Sequence, residues 1–369
     1  MESSQISDSA EASTTEASTA EALIAGRPAS VSRDRAPFRP RRWLHGGHVQ
    51  TIASFLLPRR IHLPAPEERL VEVAPGIKIR CWCYWQKHEA DRRKAMTLIV
   101  VHGLEGSSDS QYMTGVARNG LAAGMNVVLM NQRNCGGMDH FAPTLYNSSL
   151  SGDVAAVAQN VIEHDGVSRF SLIGFSMGGN LVLKLAGEWG GDGQGEGRSS
   201  RPPEFRSVAA VCPAMDLAAS ADALHEPGNR IYELYFLMQL FRRFRQKAKL
   251  FPKDFDVSRL QGVSSLRLFD DRITAHYCGF TGADDYYARA AAANVVDRIA
   301  VPALIIHAAN DPFIRVEAET RRRIAANPNI TYIEPEDGGH CAFIGQPNGD
   351  GDDGRWAERE VVDFAQRAG

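Results

Sequence analysis

No stretch of about 18 consecutive apolar residues occurs in the 369-residue chain, so the sequence offers no transmembrane helix. An excess of positive charge is equally missing: the formal net charge is −3. That balance excludes the strongly basic footprint of a nucleic-acid binder. Cysteine is sparse, with six residues: Cys81, Cys83, Cys135, Cys212, Cys278 and Cys341. A chain this long, 44% hydrophobic, buries enough core to hold together without disulfides. Cys81 and Cys83 alternate in a strand-like run, Ile79 to Trp85, which puts both thiols on one face. No second pair stands at a spacing that would complete a zinc site around them, so free, buried thiols are expected. A basic, apolar leader is lacking too, because the start carries Glu2, Asp8, Glu11 and Glu16. A cytoplasmic location is the expectation. Residues 1–36 are short of large apolar side chains and rich in Ser, Ala, Thr and Glu. Such a segment cannot offset the entropy of ordering, and it reads as a disordered tail before a single domain at 37–369.

Beyond the tail, short apolar runs and helical patterns alternate. Arg69 to Val73 and Ile77 to Trp85 suggest an edge hairpin. Met96 to Val101 is continuously apolar and β-branched at its centre, as expected of a strand buried on both faces. Similar runs recur at Asn126 to Met130, Phe170 to Gly174, Val208 to Val211, Ala303 to His307 and Thr331 to Glu334. Helical patterns fall at Gln111 to Ala123, Gly152 to Glu163, Met177 to Glu188, Val316 to Ala326 and Arg355 to Gln366. This order predicts a mostly parallel sheet of the α/β class with helices on both faces. A helical stretch at about 213–285 interrupts the alternation and is expected to be a cap inserted between two strands. The Gly-, Ser- and Pro-rich stretch Glu188 to Pro203 reads as a long connecting loop.

One motif carries chemistry. Gly174-Phe-Ser-Met-Gly178 lies between an apolar run and a helical pattern. A serine on a tight strand-to-helix turn projects its oxygen clear of the backbone. The turn crowds the residues two before and two after, so both must be small. Ser176 also stands at a helix N-terminus, which favours developing negative charge. A serine nucleophile needs a base, and the base needs an orienting acid, in the chain order Ser, acid, His. Asp311, after the run ending at His307, and His340, in Asp337-Gly-Gly-His340, fill that order. An oxyanion would be held by the main-chain N–H of Met177 and by that of Leu104, in the loop His102-Gly-Leu-Glu-Gly-Ser107.

With these residues the chain resembles the α/β-hydrolase superfamily. Within it, the chain resembles the YheT-type hydrolases, related to embryogenesis-associated hydrolases and to abhydrolase-domain phospholipases and monoacylglycerol lipases. Further pieces of the resemblance are Trp43-Leu-His-Gly-Gly-His-Val-Gln-Thr51, Asn131-Gln-Arg-Asn-Cys-Gly-Gly137, Leu145-Tyr-Asn-Ser148 and Phe269-Asp-Asp-Arg-Ile-Thr274. The resemblance implies an eight-stranded α/β-hydrolase fold and Ser176, Asp311 and His340 as a catalytic triad. It further implies hydrolysis of short-chain acyl esters or acylglycerols through an acyl-enzyme, with no cofactor. Some relatives carry an acyltransferase motif with an aspartate five residues after the catalytic histidine. Gly345 occupies that place here, so that activity does not carry over from the motif. The triad alone leaves two alternatives open, an acyltransferase and a non-catalytic binding protein of the same fold.

Two features point elsewhere. His45 and His48 are three apart, but two ligands do not make a metal site, and no metal is expected. Arg230 to Phe251 is apolar at first and basic at its end. It reads as a cap helix with a core-facing side and a solvated basic end. Weak contact of that end with anionic lipid is the sharper alternative. The partners expected are a small acyl ester or lipid and no nucleic acid.

Overall fold

Short β-branched runs pair into one eight-stranded sheet in the computed structural model, which describes residues 37–191, 200–347, 349 and 352–369. The expected tail and residues 192–199 of the long loop lie outside the described residues. The strands are β1 (Glu67–Ala74), β2 (Ile77–Tyr84), β3 (Thr97–Val101), β4 (Asn126–Met130), β5 (Phe170–Phe175), β6 (Phe205–Val211), β7 (Ala303–Ile306) and β8 (Ile330–Ile333). Their order is β1-β2-β4-β3-β5-β6-β7-β8. β1 pairs antiparallel with β2, and β2 antiparallel with β4; the remaining pairs are parallel. The expected edge hairpin and mostly parallel sheet are therefore present. Cys81 and Cys83 are buried, free thiols on one face of β2.

The helices are α1 (Gly47–Leu56), α2 (Glu89–Lys94), α3 (Gln111–Ala122), α4 (Ser151–Asp165), α5 (Met177–Gly190), α6 (Leu217–Leu224), α7 (Arg230–Leu250), α8 (Leu266–Phe269), α9 (His276–Cys278), α10 (Ala283–Ala290), α11 (Ala318–Ala326) and α12 (Trp356–Ala368). A π-helical turn, Asp270–Ala275, joins α8 to α9. Side chains alternate across each strand, so the central strands feed two cores. Ile99 and Val101 of β3 and Phe170 and Leu172 of β5 pack with α4 and α5. Leu98, Val100, Ile173 and Phe175 pack on the opposite face with α3 and α12. Full burial on both faces explains why these strands read as unbroken apolar runs.

The chain from β6 to β7 is helical, from α6 to α10. Leu237, Leu240, Phe244 and Ala248 recur at helical spacing along α7. They form a separate apolar cluster with Phe255, Leu260, Phe269 and Ile273. The basic end of α7 is less solvated than expected. Lys247 is wholly buried and donates to the carbonyls of Asp139 (2.6 Å) and Ala142, while Arg243 engages Glu105. Carbonyls and a carboxylate from distant loops replace the water these cations would otherwise need. Among the described residues, no helix is long and apolar enough to cross a membrane.

Candidate active site

The turn from β5 into α5 holds Ser176 at φ 54°, ψ −119°, a sparsely populated conformation for a residue with a side chain. The flanking glycines permit it. A Cβ on Gly174 would stand 2.5 Å from the Gly178 carbonyl carbon, and one on Gly178 would stand 2.5 Å from His102 O. Three chain segments therefore meet at this bend at closer than ordinary van der Waals contact distance, which explains the small residues two either side of the serine.

His340 and Asp311 come to the same place. Nε2 of His340 lies 3.0 Å from Ser176 Oγ, and its Nδ1 lies 2.8 Å from Asp311 Oδ2. The other oxygen, Oδ1 of Asp311, accepts the backbone N–H groups of Phe313 (3.1 Å) and Ile314 (2.9 Å). The carboxylate is thus oriented by its own loop and presents one oxygen to the imidazole. In the neutral imidazole, Nδ1 carries the proton toward Asp311, which leaves the Nε2 lone pair for the serine hydroxyl. Burial pulls the His340 imidazole down, but the Asp311 carboxylate outweighs it and pushes it up to about 10. Burial likewise opposes ionisation of Asp311, and the facing imidazole holds that carboxyl below its usual range.

Leu104 and Met177 converge on Ser176 as well; both line a cavity that includes it. Met177 opens α5, so its N–H is among the donors a helix leaves without an internal partner. On the loop after β3, the neighbours of Leu104 are occupied. The Gly103 N–H donates to Tyr112 Oη (3.0 Å) and the Glu105 N–H to Tyr146 Oη (3.1 Å). Among the described residues the Leu104 N–H donates to none. His102 braces this loop. Its Nε2 accepts the Gln132 N–H (3.1 Å), so Nδ1 donates to Gly103 O (2.7 Å). Burial lowers His102 to about 4 and keeps it neutral.

Several supporting residues were not anticipated from sequence. Thr51 of α1 accepts the His340 N–H at Oγ1 (2.8 Å), and Gln50 accepts the Ile344 N–H (2.8 Å) while donating to Ile344 O (3.1 Å). The α1 helix therefore holds the His340 loop from the outside. His48 stacks on Tyr232 and shares a 2.9 Å hydrogen bond with its hydroxyl, while His45 faces Asp337. The two histidines take separate partners. Cys212, just after β6, and Cys341 place their sulfurs within 4.8 Å of a His340 ring nitrogen.

Two cavities meet at Ser176. One, of about 110 Å³, runs beneath α6 and α7 and is lined by Leu145, Leu224, Leu240, Phe244 and Phe269. The other, of about 390 Å³, is bordered by α1 and the start of α7, with Ile52, Phe55, Ile231 and Tyr235 along it and His340 at its base.

A serine at a strand-to-helix bend, on a mostly parallel sheet between two helical layers, is the arrangement of the hydrolases built on this architecture. Residues 97–347 match the alpha/beta hydrolase fold family, and the chain belongs to it. Over 326 residues it is 29% identical to YheT of Escherichia coli (strain K12), whose name marks it provisionally as an esterase; the match covers 88% of this chain and 92% of that protein. Phospholipase ABHD3 of Bos taurus is 26% identical over 259 residues, 70% of this chain and 61% of its own length. A monoacylglycerol lipase of Saccharomyces cerevisiae is 24% identical over 271 residues, 71% of this chain and 58% of its own length. Among solved structures, a Pyrococcus furiosus esterase shares the fold with a TM-score of 0.52 at 16% identity, covering 84% of this chain and 96% of that one.

Proposed function

We propose that the chain is a serine carboxylic-ester hydrolase that acts on acylglycerol-type esters. The observation that carries this reading is the unbroken line from Asp311 through His340 to Ser176, with both links within hydrogen-bond length. Neutral His340 takes the Ser176 proton as Oγ attacks the ester carbonyl. Asp311 holds the imidazole in its tautomer and stabilises the imidazolium. The N–H groups of Leu104 and Met177 receive the oxyanion. Protonated His340 then gives its proton to the departing alcohol. Water, activated by the same base, releases the acid from the acyl-enzyme. The expected cap, at about 213–285, would close the acyl side.

The apolar lining of both cavities favours a fatty acyl chain on one side of Ser176 and an amphiphilic alcohol on the other. The names of the relatives, with esterase, phospholipase and monoacylglycerol lipase among them, point the same way. Exposed apolar side chains bordering the larger cavity, Phe55, Leu56 and Ile231, suit a substrate drawn from a lipid surface better than one free in water. A fluorophosphonate probe and a panel of glycerol esters of graded acyl length test the reading together. Labelling and turnover are expected in the wild type and absent in Ser176→Ala. Equal labelling of both proteins would remove Ser176 as the nucleophile, and a preference for water-soluble acetyl esters over longer acylglycerols would remove the substrate class.

A further inference from the structure

Cys212 and Cys341 are 129 residues apart in sequence and meet directly behind His340. The Cys341 N–H points at Cys212 Sγ at 3.3 Å, and Cys341 Sγ lies 3.8 Å from His340 Nε2. The two sulfurs and a His340 ring nitrogen all lie within 4.8 Å of one another. Both cysteines hold left-handed backbone, at φ 43° and 56°, a conformation unfavourable for a residue with a side chain. The fold thus maintains two unfavourable conformations that bring two thiols to one imidazole.

The geometry suits a soft cation. Tetrahedral zinc, with sulfur at ~2.3 Å and nitrogen at ~2.0–2.1 Å, sets sulfur and nitrogen ~3.6 Å apart and two sulfurs ~3.8 Å apart. The 3.8 Å from Cys341 Sγ to His340 Nε2 needs only a small contraction, and the other two separations are under 4.8 Å. His340 already has the outer partner that metal-bound imidazoles have, since Nδ1 faces the Asp311 carboxylate at 2.8 Å and Nε2, when neutral, offers its lone pair. The Cys341 N–H is placed to stabilise a Cys212 thiolate. A second imidazole, His307, is buried, and its Nδ1 has no hydrogen-bond partner. A ring nitrogen of His307 lies within 4.8 Å of Cys212 Sγ, which provides a neighbouring base for the thiol proton. His340 and Cys341 border the larger cavity, which gives an ion its path.

We propose that Cys212, His340 and Cys341 form an inhibitory site for a soft divalent cation of the zinc class. On binding, two sulfur–metal bonds and one nitrogen–metal bond form; the two thiol protons leave for solvent, and so does the Nε2 proton where His340 is an imidazolium. The fourth metal position faces the cavity, open to water or to Ser176 Oγ. The Nε2 lone pair is withdrawn from Ser176, so no base remains for the hydroxyl. A chelator restores it. The effect on turnover rests on the serine-hydrolase reading, whereas the binding does not.

The test uses the full, reduced chain, freed of added thiol, and titrates it with Co²⁺ and Zn²⁺. One equivalent of cobalt is expected to give near-ultraviolet thiolate-to-cobalt charge-transfer absorption, equally in wild type and Ser176→Ala. Zinc is expected to displace the cobalt and to inhibit ester hydrolysis reversibly. Cys341→Ser and Cys212→Ala should each weaken zinc inhibition, measured against the variant's own zinc-free rate, by at least the roughly 10–100-fold that loss of even an outer partner costs. Cys135→Ser should not. Cys341 is partly exposed, so its variant keeps the test decisive if Cys212→Ala fails to fold. Absence of the charge-transfer band overturns the site, as does unchanged zinc inhibition in Cys341→Ser. If the wild type shows the band but no esterase activity, the metal site stands and the hydrolase reading falls.

Discussion

The guanidinium of Arg243 reaches from α7 to the carboxylate of Glu105 on the loop after β3, with Nη2 3.0 Å from Oε2 and Nε 3.1 Å from Oε1. The Tyr146 hydroxyl completes the contact, donating to Glu105 Oε1 at 2.6 Å. Glu105 follows Leu104, the proposed oxyanion donor, and has a positive φ of 56°. The ion pair therefore couples the helices between β6 and β7 to the loop proposed to receive charge.

Arg243→Met tests this coupling. Only 6% of the Glu105 side chain is exposed, so removing its partner strands a buried charge. The expected loss is about 3–5 kcal/mol of unfolding free energy, seen as a lower urea midpoint. Loosening Leu104 should also lower kcat, by up to the ~10²–10³-fold that loss of one oxyanion donor brings. Adding Glu105→Gln should recover part of the stability but not the rate. An unchanged kcat in Arg243→Met would disconnect α7 from the chemistry.

Asp311→Asn should be severe although it is nearly isosteric. The asparagine oxygen can keep the Phe313 and Ile314 N–H bonds that Oδ1 now accepts. That choice turns the amide NH₂ toward His340 Nδ1 and forces the proton onto Nε2. A histidine in that tautomer cannot accept the serine proton. Turnover of a chromogenic ester should fall roughly 10⁴-fold with the fold intact by circular dichroism.

The pH profile follows from the same pair. An unperturbed imidazole places the loss of activity at about 6 to 6.5. Burial pulls His340 lower still, yet Asp311 pushes it up to about 10. Since the base must be neutral, kcat/KM should keep rising with pH well above 6.5. Stability runs the other way. A folded value raised above the unfolded one contributes stability that is fully present below about 6.5 and lost as pH rises through about 10. Wild type measured against His340→Gln should lose its advantage in thermal melts across that window. An acid limb at or below 6.5 would show that Asp311 does not hold an imidazolium.

Two glycine substitutions should differ in sign. Gly178→Ala drives a methyl to 2.5 Å from His102 O, against backbone that cannot yield, and should cost about 1–3 kcal/mol or more. Gly152→Ala, in α4, meets nothing within 4 Å and should stabilise by about 0.4–1 kcal/mol. Denaturant midpoints of the two variants check both.

The strands and the serine bend could be read from sequence because each is a local pattern. Burial on both faces writes continuous β-branched runs, and a crowded turn demands small residues at fixed offsets. The histidine and aspartate could be placed because chain order on this architecture is restricted. The clamp of Thr51 on His340 leaves no such trace, since its partners are 289 residues apart and Gly46 gives α1 no side-chain cap. The buried ends of Arg243 and Lys247 were hidden for a similar reason. Their acceptors sit on loops more than 100 residues away, and a basic run by itself reads as solvated. Cys212 and Cys341 look unrelated until the sheet brings the end of β6 beside the His340 loop.

The hold of α1 on the His340 loop bears on how the protein is made. A nascent chain acquires the bend at Ser176 midway through translation, long before residue 340 leaves the ribosome. Until then the hydroxyl is an ordinary alcohol, and Thr51 has nothing to grip. On the proposed mechanism, reactivity begins only when α1 and the His340 loop close on each other, so a fragment lacking either of those two segments should not hydrolyse esters.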